Sequence, residues 1–218
     1  MTQQEGARDE VLRALLARHG RSYADEAGIA LRDTPAPLLQ LLVLSSLLSS
    51  GVSAELGVRA ARGLREAGLT TAEHLRDAGD DGRWKALSDA RYLRKQQTAR
   101  QLGQLAERVL DEHRGDLRHL RDGASGDPAD VHEAVQAFAG IGPVGADVFC
   151  REVQAVWPSL RPFADDRVTA SAKALHLPVS PSGLAGLAGT ADLSVVGAAL
   201  VRCSIADDAD EVLAASAS

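Results

Sequence analysis

The stretch with the clearest chemical use is Phe138-Ala139-Gly140-Ile141-Gly142-Pro143-Val144-Gly145-Ala146. A helix that ends in Gly-x-Gly and restarts at once makes a tight hairpin, because glycine adopts positive φ without steric cost and lets another backbone come close. Ile141 between the glycines is expected to plug the hairpin into the core. The hairpin amides and the start of the next helix then point outward together, an anion site suited to a DNA phosphate. Pro143 fits the first turn of that second helix, where its missing N–H costs nothing.

Other reactive side chains offer less. Cys150 and Cys203 are too few for a disulfide framework or a four-thiolate metal site and read as reduced, buried side chains. His113, His119 and His132 lack metal-ligand spacing with one another or with either cysteine, so no metal and no cofactor is expected. Lysines are only three, Lys85, Lys95 and Lys173, and none lies near the hairpin in sequence. Trp84 and Trp157 could stack on bases, but with aromatics at 3% the core has first claim on both.

The elements that must position these residues read as helices throughout. The core has to be built from Leu, Ala and Val, which favours helix over sheet. Val11, Leu12, Leu15 and Leu16 share one face of a helix over 9–18. Pro37 sits in the first turn of an apolar, mostly buried helix to about Ser49, and Ser53 caps the next, to about Ala67. Thr70 and Glu73 form a capping box for a short helix, a small helix surrounds Trp84, and a long one runs from about Leu93 to His113. Residues 115–126 read as loop, Asp127-Pro128 as a cap and first-turn proline, then helix to Phe138. After the hairpin a helix runs to about Trp157, and two or three more follow Asp165. The class is all-α: two helical subdomains with a DNA-binding groove, one of residues 36–145 ending in the hairpin, the other discontinuous, of 1–35 and 146–218.

Beyond the hairpin, Phe163-Ala164-Asp165-Asp166-Arg167-Val168 follows a Pro-bearing loop after Trp157-Pro158, and Leu47-Leu48-Ser49-Ser50 lies upstream. With Lys95 and the run Val109 to Asp116, these residues resemble the helix-hairpin-helix DNA glycosylase superfamily, and endonuclease III in particular, over roughly residues 36–205. The resemblance implies a DNA-facing loop at Ser50, Gly51 and Val52, a strand grip at Gly140, Ile141, Gly142, Val144 and Gly145, and an essential carboxylate at Asp165. Asp166 is the alternative if the register shifts by one. That carboxylate would activate water or stabilise the cationic sugar formed as a glycosidic bond breaks; equally, either aspartate could simply cap the helix that follows.

Three departures refine the implied activity. Val144 occupies the position of the family's Schiff-base lysine, and an aliphatic side chain forms no imine, which excludes lyase chemistry by that route. The C-terminal four-cysteine iron–sulfur loop is missing, since Cys203 stands alone there. Gly51 falls where endonuclease III carries a polar residue that enters the base stack, so Val52 or another loop must fill the gap left by a flipped base, or no base is flipped.

A net charge of −6 argues against indiscriminate nucleic-acid binding. Yet residues 83–121 hold ten Lys/Arg against five Asp/Glu, about +5, leaving about −11 elsewhere (−6 minus 5). Within that stretch Arg91, Arg94 and Lys95, with Arg100, are candidate phosphate contacts or a solvated helix face. The N-terminus MTQQEGARDE lacks an apolar signal region, and the run from Leu38 to Leu48 is too short to span a bilayer. A cytoplasmic, bacterial monomer acting on damaged or mispaired duplex DNA, away from membranes, is the expectation. Its alternatives are a DNA- or damage-binding relative without chemistry, and a helical module whose basic stretch binds an acidic partner.

Overall fold

The computed structural model describes residues 3–189 and 192–217, and among them there is helix and no strand. In chain order the helices are α1 (Gln3–His19), α2 (Tyr23–Glu26), α3 (Pro35–Leu48), α4 (Ala54–Glu66), α5 (Ala72–Asp77), α6 (Gly79–Asp89) and α7 (Lys95–His113). Then come α8 (Arg118–Gly123), α9 (Pro128–Gln136), α10 (Pro143–Val153), α11 (Asp166–Ala174), α12 (Pro181–Ala188), α13 (Leu193–Ala206) and α14 (Ala209–Ser216). A 3-10 turn, Pro158–Leu160, separates α10 from α11.

Local chemistry explains where most helices start. Ser53 accepts from the Leu56 amide at the start of α4, and Asp127 accepts from the Ala129 and Asp130 amides ahead of Pro128 in α9. Pro35 and Pro37 both fall in the first turn of α3, which begins two residues earlier than its apolar run suggests. The α5 cap departs from expectation: Thr71, not Thr70, accepts from the His74 amide. The cap thus lies one residue later, and Glu73 falls at the second helical position, not the third that a capping box needs. Residues 118–123, read from the sequence as loop, form α8, which buries Leu120.

The helices group into two compact units, Met1–Ser22 with Arg161–Ser218, and Tyr23–Leu160. Against the sequence-based division at 35/36 and 145/146, residues 23–35 and 146–160 thus fall in the second unit. The reason lies in α10, which packs on α3 and α9. Its buried Glu152 also accepts hydrogen bonds from the Tyr23 and Ala24 amides, tying the start of α2 to the same core. Within the second unit α3 is the central element: every residue from Leu41 to Leu47 is buried. Each of its buried leucines, from Leu38 to Leu47, contributes roughly 1.5–3 kcal/mol, and this anchors the C-terminal end of α3, where the candidate site begins. In the first unit α1 packs on α13 and α14, and α11 packs on α13.

Candidate nucleic-acid interface

The hairpin between α9 and α10 is built as the glycine spacing demands. Gly140 has φ +80°, and a Cβ there would lie 3.0 Å from Gln101 Cδ and 3.2 Å from Ser46 Oγ. Gly145 lets α10 lie against α3, since a Cβ there would come within 2.9 Å of both Ile141 Cγ2 and Ser49 Oγ. Ile141 is buried between these contacts, and Ser46 Oγ donates to the Gly140 carbonyl at 3.4 Å. Gly142 differs: its missing side chain would project into open space. Across the turn, His132 on α9 meets Asp147 on α10, with Nε2 and Oδ1 2.8 Å apart.

The start of α10 has no side-chain cap, and Gly142, Pro143 and Val144 are exposed, Val144 by 55%. The first-turn amides of Val144 and Gly145 have no acceptor inside their own helix. An uncapped, exposed helix start carries partial positive charge and N–H groups without a partner in the helix, which suits an anion.

From the hairpin, a continuous strip of the second unit runs along the end of α3. Ser49 Oγ donates to the Ser46 carbonyl, and Ser50 Oγ to the Leu47 carbonyl at 2.9 Å. Both serines therefore satisfy backbone groups. Ser50 Oγ also meets the hydroxyl of Tyr92, whose single proton goes either to Ser50 Oγ or to the Leu47 carbonyl 3.2 Å away. Burial pushes the Tyr92 phenol up, against the opposing hydrogen bonds from Ser50 and Thr98, so it is a neutral brace. That brace joins the loop of Ser50, Gly51 and Val52 to the turn between α6 and α7. Gly51 adopts φ +77°, and a Cβ on it would lie 3.9 Å from an Arg94 guanidinium nitrogen. Arg91 and Arg94 are exposed on that turn, and between them Leu93 is 78% exposed. Lys95 lies over the Trp84 ring at 5.2 Å.

Ion pairing sorts the basic stretch. Arg83 is buried, donating to the Ala99 carbonyl and pairing with Asp80 at 2.6 Å. Lys85, Arg108, Arg118 and Arg121 pair with Asp89, Glu112, Asp116 and Asp33. Arg91, Arg94, Lys95, Arg100 and Arg114 have no acidic partner among the described residues. Three of these five unpaired cations fall between 91 and 95, beside the Gly51 loop.

In the other unit, Asp165 is the N-cap of α11. Its Oδ1 accepts from the Arg167 amide at 3.0 Å and the Val168 amide at 3.1 Å, and the residue is 8% exposed. Asp166 follows, exposed, as the first residue of the helix.

Two solved structures of endonuclease III with DNA share this architecture. One is a trapped covalent intermediate with an estranged adenine: TM-score 0.52, 15% identity, covering 93% of this chain and 86% of that one. The other is a non-covalent complex: TM-score 0.54, 16% identity, with the same coverage. The fold is that of endonuclease III. No family model matches the chain, and no curated protein matches it.

Within this endonuclease III fold the sequence-derived residues fall into two groups. Gly140, Ile141, Gly142, Val144, Gly145, Ser50, Gly51, Val52, Arg91, Arg94 and Lys95 all lie in the second unit, along the contacts just traced. Asp165 and Asp166 lie in the first. Trp157 is fully buried, its indole N–H donating to Asp33 at 2.8 Å, but Trp84 is 43% exposed, which corrects its reading as core. Leu93 was missed. Residue type alone marks a leucine as core, and only its place between two exposed arginines on a braced turn marks it otherwise.

Proposed function

We propose that the protein is a monofunctional DNA glycosylase that hydrolyses the N-glycosidic bond of a damaged or mispaired base. One observation carries the reading. In a chain with the endonuclease III fold, an uncapped glycine hairpin leads along α3 to a loop and turn bearing unpaired arginines and an exposed leucine. Solved endonuclease III complexes hold DNA, and this strip has the chemistry to do the same.

In this reading a backbone phosphate sits at the open start of α10, against the hairpin amides of Gly140, Gly142 and Gly145. Arg91, Arg94 and Lys95 neutralise neighbouring phosphates. Gly51 cannot fill the space a flipped base vacates, and Val52 beside it or the exposed Leu93 on the adjoining turn is the apolar side chain that enters the stack. The bond between sugar C1′ and the base nitrogen breaks, the base leaves, and water adds to C1′. Asp165 stabilises the cationic sugar or takes the water's proton. Val144 offers no amine, so the product is an intact abasic strand.

A second reading is supported by Asp165 itself. Its Oδ1 already serves two amides and its side chain is buried, as in a binding protein whose aspartate is only a cap. The purified chain is therefore incubated with duplexes bearing a panel of single lesions and mispairs, half of each reaction then receiving hot alkali. The glycosylase reading requires cleavage only after alkali, abolished by Asp165→Asn. Binding without cleavage across the panel supports the second reading. Cleavage without alkali overturns the role given to Val144.

A further inference from the structure

Away from the DNA-facing strip, three potential metal ligands from distant parts of the sequence converge in the first unit. His19 is the last residue of α1, and Cys203 lies in the last turn of α13. Asp207 then turns the chain with φ 55°, and Asp208 follows as the N-cap of α14. The imidazole nitrogen, the thiol sulfur and a carboxylate oxygen all lie within 4.8 Å of one another. His19 Nε2 is 3.0 Å from both oxygens of Asp208. Arg18 Nε donates to Asp208 Oδ2 at 2.5 Å, and the same guanidinium also reaches Glu211.

We propose that His19, Cys203 and Asp208 form a binding site for a single Zn(II)-class ion that staples the end of α1 to the corner between α13 and α14. The donor set decides the class. Thiolate with imidazole selects Zn(II) and its surrogate Co(II), whereas Mg(II) and Ca(II) prefer oxygen alone. The geometry is close to that needed: Zn–N and Zn–S bonds of about 2.0 and 2.3 Å put tetrahedral ligand atoms roughly 3.3–3.8 Å apart. Side-chain adjustments of about 1 Å bring the three donors within that spacing. Charge also balances. On binding, the Cys203 thiol proton leaves to solvent, so one thiolate and one carboxylate cancel the ion's two positive charges. Neutral His19 adds none, and Arg18 keeps Glu211 as its partner. Three protein ligands leave the fourth position to water. His19 and Asp208 side chains are 13% and 7% exposed, which shelters the site yet keeps it at the surface. Local ligand spacing cannot reveal this set, because its members meet only through the packing of α1 on α13 and α14.

The test is a titration of the full-length protein, stripped by chelator, with Co(II) and then Zn(II). The proposal requires one equivalent of Co(II) bound with a thiolate-to-cobalt absorption band, bleached by Zn(II), and a melting temperature that rises with Zn(II). Cys203→Ser must abolish the band, and His19→Gln must weaken Co(II) binding by more than about tenfold. Absence of the band, or a band that survives in Cys203→Ser, overturns the proposal. Should Cys203→Ser fail to fold, His19→Gln decides: undiminished binding overturns the site as well.

Discussion

Two helices of similar length, α10 and α11, begin in opposite ways. At α11, the buried Asp165 folds back on the Arg167 and Val168 amides and closes the helix start with its own carboxylate, although Asp166 and Arg167 are exposed. At α10, Gly142 provides no side chain, and the first turn is exposed as far as Val144. Both ends carry the same partial positive charge. One is neutralised by its own carboxylate, and the other is left for an anion from outside. Glycine at an N-cap forgoes the hydrogen bond that Ser or Asp would make. The open start of α10 is a feature that folding alone does not require, and the proposed function uses it as the binding end.

The contrast can be broken from either side. The largest effect is expected at α11. Asp165→Asn keeps a capping side chain, so stability should change by less than about 1 kcal/mol. Excision should nevertheless fall by roughly 10²–10⁴-fold. Asp165→Ala should add a stability loss of about 1–2 kcal/mol. Equal loss of excision and stability in both variants would reduce Asp165 to a cap. Next comes Gly140→Ala, where positive φ and the crowding by Gln101 and Ser46 act together. The expected cost is about 1–3 kcal/mol, read as a lower urea midpoint.

Smaller effects sharpen the role of the strip. Leu93→Ala, at a 78% exposed position, should leave the melting temperature unchanged while lowering excision of a stacked base about tenfold. The defect should shrink for a lesion already unpaired, since less unstacking is needed. Arg94→Gln should be the mildest: the slope of log affinity against log salt should fall by about 1, uniformly across DNA sequences. A loss confined to one lesion would mean that Arg94 reads the base instead.

How much of this was legible in the sequence depended on the range of the interaction. Caps at Ser53 and Asp127 involve amides two or three residues away, and they form as the residue types indicate. The turn of the hairpin was equally legible, because the positive φ of Gly140 and the helix restart after Gly142 are local, whereas the crowding of Gly140 by Ser46 and Gln101 is long-range and was not. Neighbouring threonines defeated the same reasoning at α5, where either hydroxyl could cap and packing chose Thr71. Long-range facts stayed hidden. Nothing local distinguishes Arg83, buried on the Ala99 carbonyl, from Arg94, unpaired in solvent. Nor does spacing announce that His19 meets Asp208, or that Leu93 lies outside the core while Leu47 is fully buried.

Gly142→Ala gives the most direct test of the open helix start. A Cβ there meets nothing within the protein, and φ is −103°, so the fold tolerates it. Affinity for a fluorescently labelled duplex is measured by anisotropy at matched salt for the wild type and this variant, with melting temperatures recorded alongside. The account predicts binding weakened about tenfold or more with a stability change below about 1 kcal/mol, because the new methyl group occupies the approach to the amides. Unchanged affinity would contradict it, and would move the DNA contact away from the start of α10.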